Sequence, residues 1–244
     1  MKGFAAVYRR ELSSYFATPL AAVFIAVFLF TSSALAIQAG GLFEQGRADL
    51  SPFFAFLPWI FVVFLPALAM RLWSEEIRSG AIETTLTTPI SIASAVVGKF
   101  AAAWTVAGLA LALTAPLWAT MNYLGRPDNL AIAAGYLSAF LAMGAFLAIG
   151  SAMSALTGAQ VIAFVLGVLL AFLFTVAGTP IVLGLVRDIA GVGVAEATAT
   201  FSVLDHFDSG RRGLIEARSL VFYGSFIAMW LAVTGLFVSA RKGG

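Results

Sequence analysis

The sequence predicts an all-α integral membrane protein with six transmembrane helices. Its composition, its uncharged tracts and the alternation of the polar islands between them carry that prediction. Hydrophobic residues make up 61% of the 244 residues, charged residues 11%, and the mean hydropathy is +0.99. A soluble domain carries about 25% charged residues, so this chain has too little polar surface to cover a water-exposed fold. Residues 129–186 contain no Asp, Glu, Lys, Arg or His. That tract is too long for one helical crossing of roughly 20 residues and fits two.

Residues 1–18 come first. Phe4, Val7, Tyr8, Leu12, Tyr15 and Phe16 share one helical face, with Lys2, Arg9, Arg10 and Glu11 mainly elsewhere. That is the pattern of an amphipathic helix lying in the membrane interface. Residues 19–240 form the transmembrane domain, with spans expected at about 19–39, 53–70, 100–123, 132–156, 160–186 and 219–240. Pro19 suits the opening turn of the first span. Thr157, Gly158 and Ala159 supply the turn between the fourth and fifth, and Pro66 and Pro116 are expected kinks. Ala34-Leu35-Ala36 resembles a signal-peptidase site, but the apolar run is too long for a signal peptide, so a retained span is expected.

Alternation sorts the islands into two sets. The N-terminus, residues 71–99, the 157–160 turn and the C-terminus hold eight of the 14 Lys and Arg and four of the 12 Asp and Glu. The other islands, 40–52, 125–131 and 187–218, hold six cations and eight carboxylates. Short cytoplasmic loops concentrate cations. This predicts cytoplasmic termini, a cytoplasmic loop at 71–99 and an extracytoplasmic loop at 187–218.

Several function classes fall away. Cys is absent, which removes disulfides, thiolate metal sites and a cysteine nucleophile. A net charge of +2 gives no basic face for nucleic acid. Gly98-Lys99 precedes Phe100 without a glycine loop, so there is no P-loop. No expected span carries an ionisable residue of the kind ion-driven carriers use. His206, between Asp205 and Asp208, lacks a second His or Cys, and a loop hydrogen bond is the expected role. Small residues at spacing four (Gly144, Ala148, Ala152; Gly150, Ser154, Gly158) read as helix contacts. In the second span, Phe56, Trp59, Phe61 and Phe64 are weak candidates for a lipophilic path, with packing the favoured reading.

The island from Arg71 to Lys99 is too polar to span and too ordered for a linker. Glu75 and Arg78 lie at i,i+3 spacing, Ile77, Ala81 and Ile82 form an apolar edge, Gly80 permits a bend, and Pro89 ends a helix. The second span closes in Pro66-Ala-x-x-x-Arg71. Glu75, Glu76, Gly80, Glu83, Leu86 and Pro89 follow, and Gly98-Lys99 opens the next span. With Arg10-Glu11-Leu12, Tyr15-Phe16 and Pro19 before the first span, and His206-Phe207 and Arg212-Gly213 before the last, this order resembles the ABC-2-type permease family, most closely its gliding-motility-type subgroup.

The resemblance implies a type V exporter-like permease in the bacterial cytoplasmic membrane, itself not an enzyme, pairing with a second permease copy, as a homodimer or with a homologue. It binds no cofactor; ATP and Mg belong to a separately encoded ATPase, and an accessory membrane or periplasmic subunit is a further partner. Residues 71–99 become the coupling element, with Glu75, Glu76, Gly80, Glu83, Leu86, Pro89, Gly98 and Lys99 as its contacts. His206, Phe207 and Arg212 become extracytoplasmic gate candidates. The expected activity is export of a lipid-like, glycoconjugate, peptide or hydrophobic substrate. Mechanical or assembly work without export, and a stand-alone carrier or channel, are the alternatives.

Overall fold

The computed structural model describes residues 3–81 and 90–241. Their helices are α1 (Phe4–Ala17), α2 (Leu20–Ala34, continued by a π-helical turn Leu35–Ala39), α3 (Ser51–Ala69), α4 (Arg71–Ser79), α5 (Ile92–Ala112), α6 (Ala115–Leu124), α7 (Asn129–Leu156), α8 (Gln160–Val176), α9 (Pro180–Ala190), α10 (Val192–Thr200), α11 (Val203–Arg211) and α12 (Ala217–Ala240). There is no strand among the described residues. Five helical stretches are long and apolar enough to cross a membrane, and a sixth if a bent pair counts as one.

α7 is the axis of the bundle. Its Ala, Gly and Ser positions are buried over most of its length, and α3, α4, α5, α8, α11 and α12 all pack on it. Small side chains let neighbouring backbones approach. A Cβ on Gly150 would stand 2.6 Å from Ala69 Cβ, and one on Gly144 would press on Ile227 and Trp104. The small-residue stripes are therefore contact surfaces.

The helices depart from the expected spans at four places. The second crossing does not stop at residue 70: with Met70 at the junction, α3 and α4 form a single 29-residue stretch from Ser51 to Ser79. The third begins at Ile92, where the Ser91 hydroxyl accepts from Ser94 N as an N-cap, so Gly98 and Lys99 lie inside α5 rather than at its opening. Helix geometry is interrupted at Leu113 and Thr114, and Pro116 sits in the first turn of α6 instead of kinking a continuous helix. The expected fifth span, 160–186, is broken. α8 and α9 meet at 77°, because Thr179 precedes Pro180 and takes an extended conformation (φ −73°, ψ 145°). α9 then turns an exposed apolar row, Ile181, Leu185 and Ile189, along its length. The 187–218 loop holds the end of α9 together with α10 and α11.

Candidate coupling site

α1 is more than an interfacial helix. It packs along α5, where Gly98 leaves room for Val7; a Cβ there would stand 2.9 Å from Val7 Cγ1. Tyr15 is buried and donates to Leu68 O at 3.3 Å. Burial pushes its phenol well above the ordinary value, so it stays a neutral donor. Phe16, by contrast, is exposed.

Lys99 lies where α1, α4 and α5 converge. Its side chain is only 2% exposed, and Nζ pairs with Glu11 Oε1 and Glu76 Oε1, each at 2.9 Å. The ammonium also lies 5.2 Å from the Trp73 ring centroid. Arg10 covers the group, at 3.0 Å from Glu11 and 3.5 Å from Glu76. A buried cation held by two carboxylates from different helices ties them firmly, because removing a partner strands charge in low dielectric. These residues, with Ser14, Thr18, Arg71 and Glu75, line a cavity of about 360 Å³.

A second set of bonds fixes α4 to α7. Ser154 Oγ accepts from Trp73 N at 3.0 Å and Ser74 N at 3.1 Å and donates to Met70 O at 2.8 Å. Trp73 Nε1 donates to Ser151 Oγ at 3.3 Å. Ile77 faces Gly158, where a Cβ would stand 3.2 Å from Ile77 Cγ2. One face of α4 is thus built into the bundle, while Glu75, Arg78, Ser79, Gly80 and Ala81 remain exposed. Gly80 ends the helix at φ +74°, a left-handed cap that glycine adopts without penalty.

The expected coupling residues therefore divide. Glu75 and Gly80 face outward; Glu75 pairs with Arg71 at 3.0 Å, one turn back, rather than with Arg78. Glu76 and Lys99 are joined in the ion pair, and Gly98 is packed against Val7, so these three face into the bundle. Glu83, Leu86 and Pro89 lie outside the described residues. Trp73, Ser74, Ser151, Ser154 and Glu11 were not singled out from sequence as members of this site. The one signal was the spacing of Trp73 and Ile77, one turn apart on the face opposite Glu75.

The candidate path and gate residues lie elsewhere. Phe61 and Phe64 are packed among the rings of Phe24, Phe28 and Phe146. Trp59 is 43% exposed on the outer surface of α3, and Phe56 borders an open depression near the start of that helix. His206 and Phe207 are buried in the packing of α11, whereas Arg212 is exposed. His206 Nε2 donates to Thr200 O, Nδ1 accepts from the Ser219 hydroxyl, both at 3.1 Å, and the ring stacks on Phe222. The two nitrogens are thereby assigned opposite roles in a neutral imidazole.

The α4 end thus combines an inward ion-pair lock with an outward polar helix end. Residues 14–210 match the family described as CcmB protein. The chain belongs to the CcmB family. The CcmB match runs from the last turn of α1 into α11, so it includes Glu76, Lys99 and all of α4, while Glu11 lies just before it. The CcmB family comprises membrane subunits of ABC transporters that work with a separate ATPase, and the chain is accordingly a multi-pass permease subunit and not itself the enzyme. No curated protein matches the CcmB-family chain significantly.

Proposed function

We propose that this chain is the membrane half of an ATP-driven exporter in the bacterial cytoplasmic membrane, with both termini cytoplasmic, and that the exposed end of α4 is where the ATPase docks. One observation carries the reading. α4 continues the second span as one 29-residue stretch, is fastened on its inner face to α1, α5 and α7, and presents Glu75, Arg78 and Ser79 outward. A push on that exposed end is passed to the helices through buried bonds rather than absorbed in a loop. Glu83, Leu86 and Pro89 extend the docking surface on the strength of the family resemblance. The finer likeness to the gliding-motility-type subgroup rests on the sequence motifs alone.

Two copies pairing with two ATPase subunits complete the transporter in this reading. The cargo belongs to the hydrophobic or amphiphilic class, since α2, α3, α7 and α8 carry no Asp, Glu, Lys, Arg or His along their described length. Heme, which CcmB-family permeases export, is the first member of that class to test. Co-purification of the tagged chain with an ABC-class ATPase from its own host is the experiment. Wild type is expected to retain the ATPase, and Glu75→Lys combined with Arg78→Glu to lose it with membrane insertion unchanged. Retention of the ATPase by the double variant would sink the docking assignment.

A further inference from the structure

At the end of the bundle opposite α4, Gly40, Gln45, Pro52, Ala55, Phe56 and Arg211 border an open surface depression of about 310 Å³. α3 separates this depression from Met70 by 19 residues, about 28 Å of helix. Three independent elements build it. The π-helical end of the first span stops at Gly40, where a Cβ would stand 2.8 Å from Pro52 and 3.2 Å from Phe56, so the two spans close tightly. Pro52, Ala55 and Phe56 give α3 an apolar wall. Arg211 closes the site from α11, its side chain 28% exposed and its single ion pair made by Nε to Asp208 at 3.2 Å. Gln45 is held in place by donating to Gly40 O at 2.8 Å, which leaves its amide oxygen as the remaining polar group.

The geometry points to a binding site for an anionic amphiphile, a molecule with one carboxylate or phosphate on an apolar chain or ring. The guanidinium receives the anion: its buried Nε stands 3.2 Å from Asp208 without a hydrogen bond, and planar donors suit both oxyanions. The wall of Pro52, Ala55 and Phe56 takes the adjoining apolar body. Neither half suffices: an exposed arginine alone gains little from an anion in water, and an apolar wall alone does not choose between acid and alcohol. The site deepens the exporter reading by placing such a cargo at the far end of its path, yet the binding itself requires no ATPase.

The purified chain in a nonionic detergent, titrated with dodecyl phosphate, dodecanoate, dodecanol and inorganic phosphate, tests this by native mass spectrometry. Both anionic dodecyl compounds are expected to bind about tenfold more tightly than dodecanol. Arg211→Gln should erase that difference, and Phe56→Ala should weaken both acids. Asp208→Asn, which frees the guanidinium without removing it, should strengthen them. Equal binding of the acids to wild type and Arg211→Gln, or weaker binding to Asp208→Asn, would overturn the site. Competition by inorganic phosphate as effective as that by dodecyl phosphate would show an anion subsite with no amphiphile preference and overturn it too. Failure to recruit an ATPase strikes the exporter reading and leaves these binding results standing.

Discussion

The two ends of the bundle use their charges differently. At the α4 end, Glu11, Glu76 and Lys99 join three helices distant in sequence, and the cation is almost fully buried. At the other end the one ion pair among the described residues, Arg211 with Asp208, is local to a single helix and partly exposed. The apolar residues differ in the same sense. Trp73 and Leu72 are buried beside the lock, while Ile181, Leu185 and Ile189 of α9 face outward. Long-range buried pairs resist relative motion of helices; local pairs do not. One end is thus cross-linked between helices, whereas the other is held by local contacts of this kind.

The contrast is broken most severely at Lys99. Lys99→Met leaves Glu11 and Glu76 with only the exposed Arg10 as their cation, and about 3 kcal/mol of stability should be lost, the low end for breaking a buried pair. Thermal unfolding in nanodiscs measures it, and Asp208→Asn under the same conditions should cost at most about 1 kcal/mol. Ser154→Ala comes next. It removes the acceptor for Trp73 N and Ser74 N, and about 1–3 kcal/mol follows from the stranded buried groups. Hydrogen exchange should then rise across α4 rather than across α9 and α10.

A smaller effect sharpens the comparison at the far end. Burial holds the His206 imidazole below its ordinary value of 6.5; the Thr200 carbonyl, Asp205 and Glu216 oppose that shift, and Arg218 adds to it. The unfolded chain therefore takes up its proton first as pH falls. His206 contributes stability that is full above pH 6.5 and lost as pH drops through the lower folded value. Wild type should lose melting temperature in that window, and His206→Gln should flatten the loss. At the bottom of the scale, Ile181→Ser on exposed α9 should change folding stability by no more than about 0.5 kcal/mol.

Much of this fold was legible in the sequence, because hydropathy is additive along the chain. The uncharged tract at 129–186 announced two apolar helical stretches, and Thr157-Gly158-Ala159 marks the turn between α7 and α8. The helix breaks were less legible. Pro180 carried the signal for the bend after α8, but the apolar run continues through it and masks the break. At the coupling site, Glu75, Glu76 and Lys99 stood out by order and spacing. Which of them faces inward was not readable, because Lys99 meets Glu11 across 88 positions and no local pattern encodes that pairing. The Ser154 bonds escaped for the same reason: a serine in a small-residue stripe reads as packing until the Trp73 backbone is placed against it.

In the proposed transporter, force enters at the exposed end of α4 and passes inward through the Lys99 lock. ATP hydrolysis by the permease–ATPase complex in nanodiscs, measured beside melting temperature, tests it most directly. Glu75→Lys with Arg78→Glu should abolish permease-stimulated hydrolysis at unchanged melting temperature, and Lys99→Met should lower both. Stimulated hydrolysis that persists in the double variant would contradict the account.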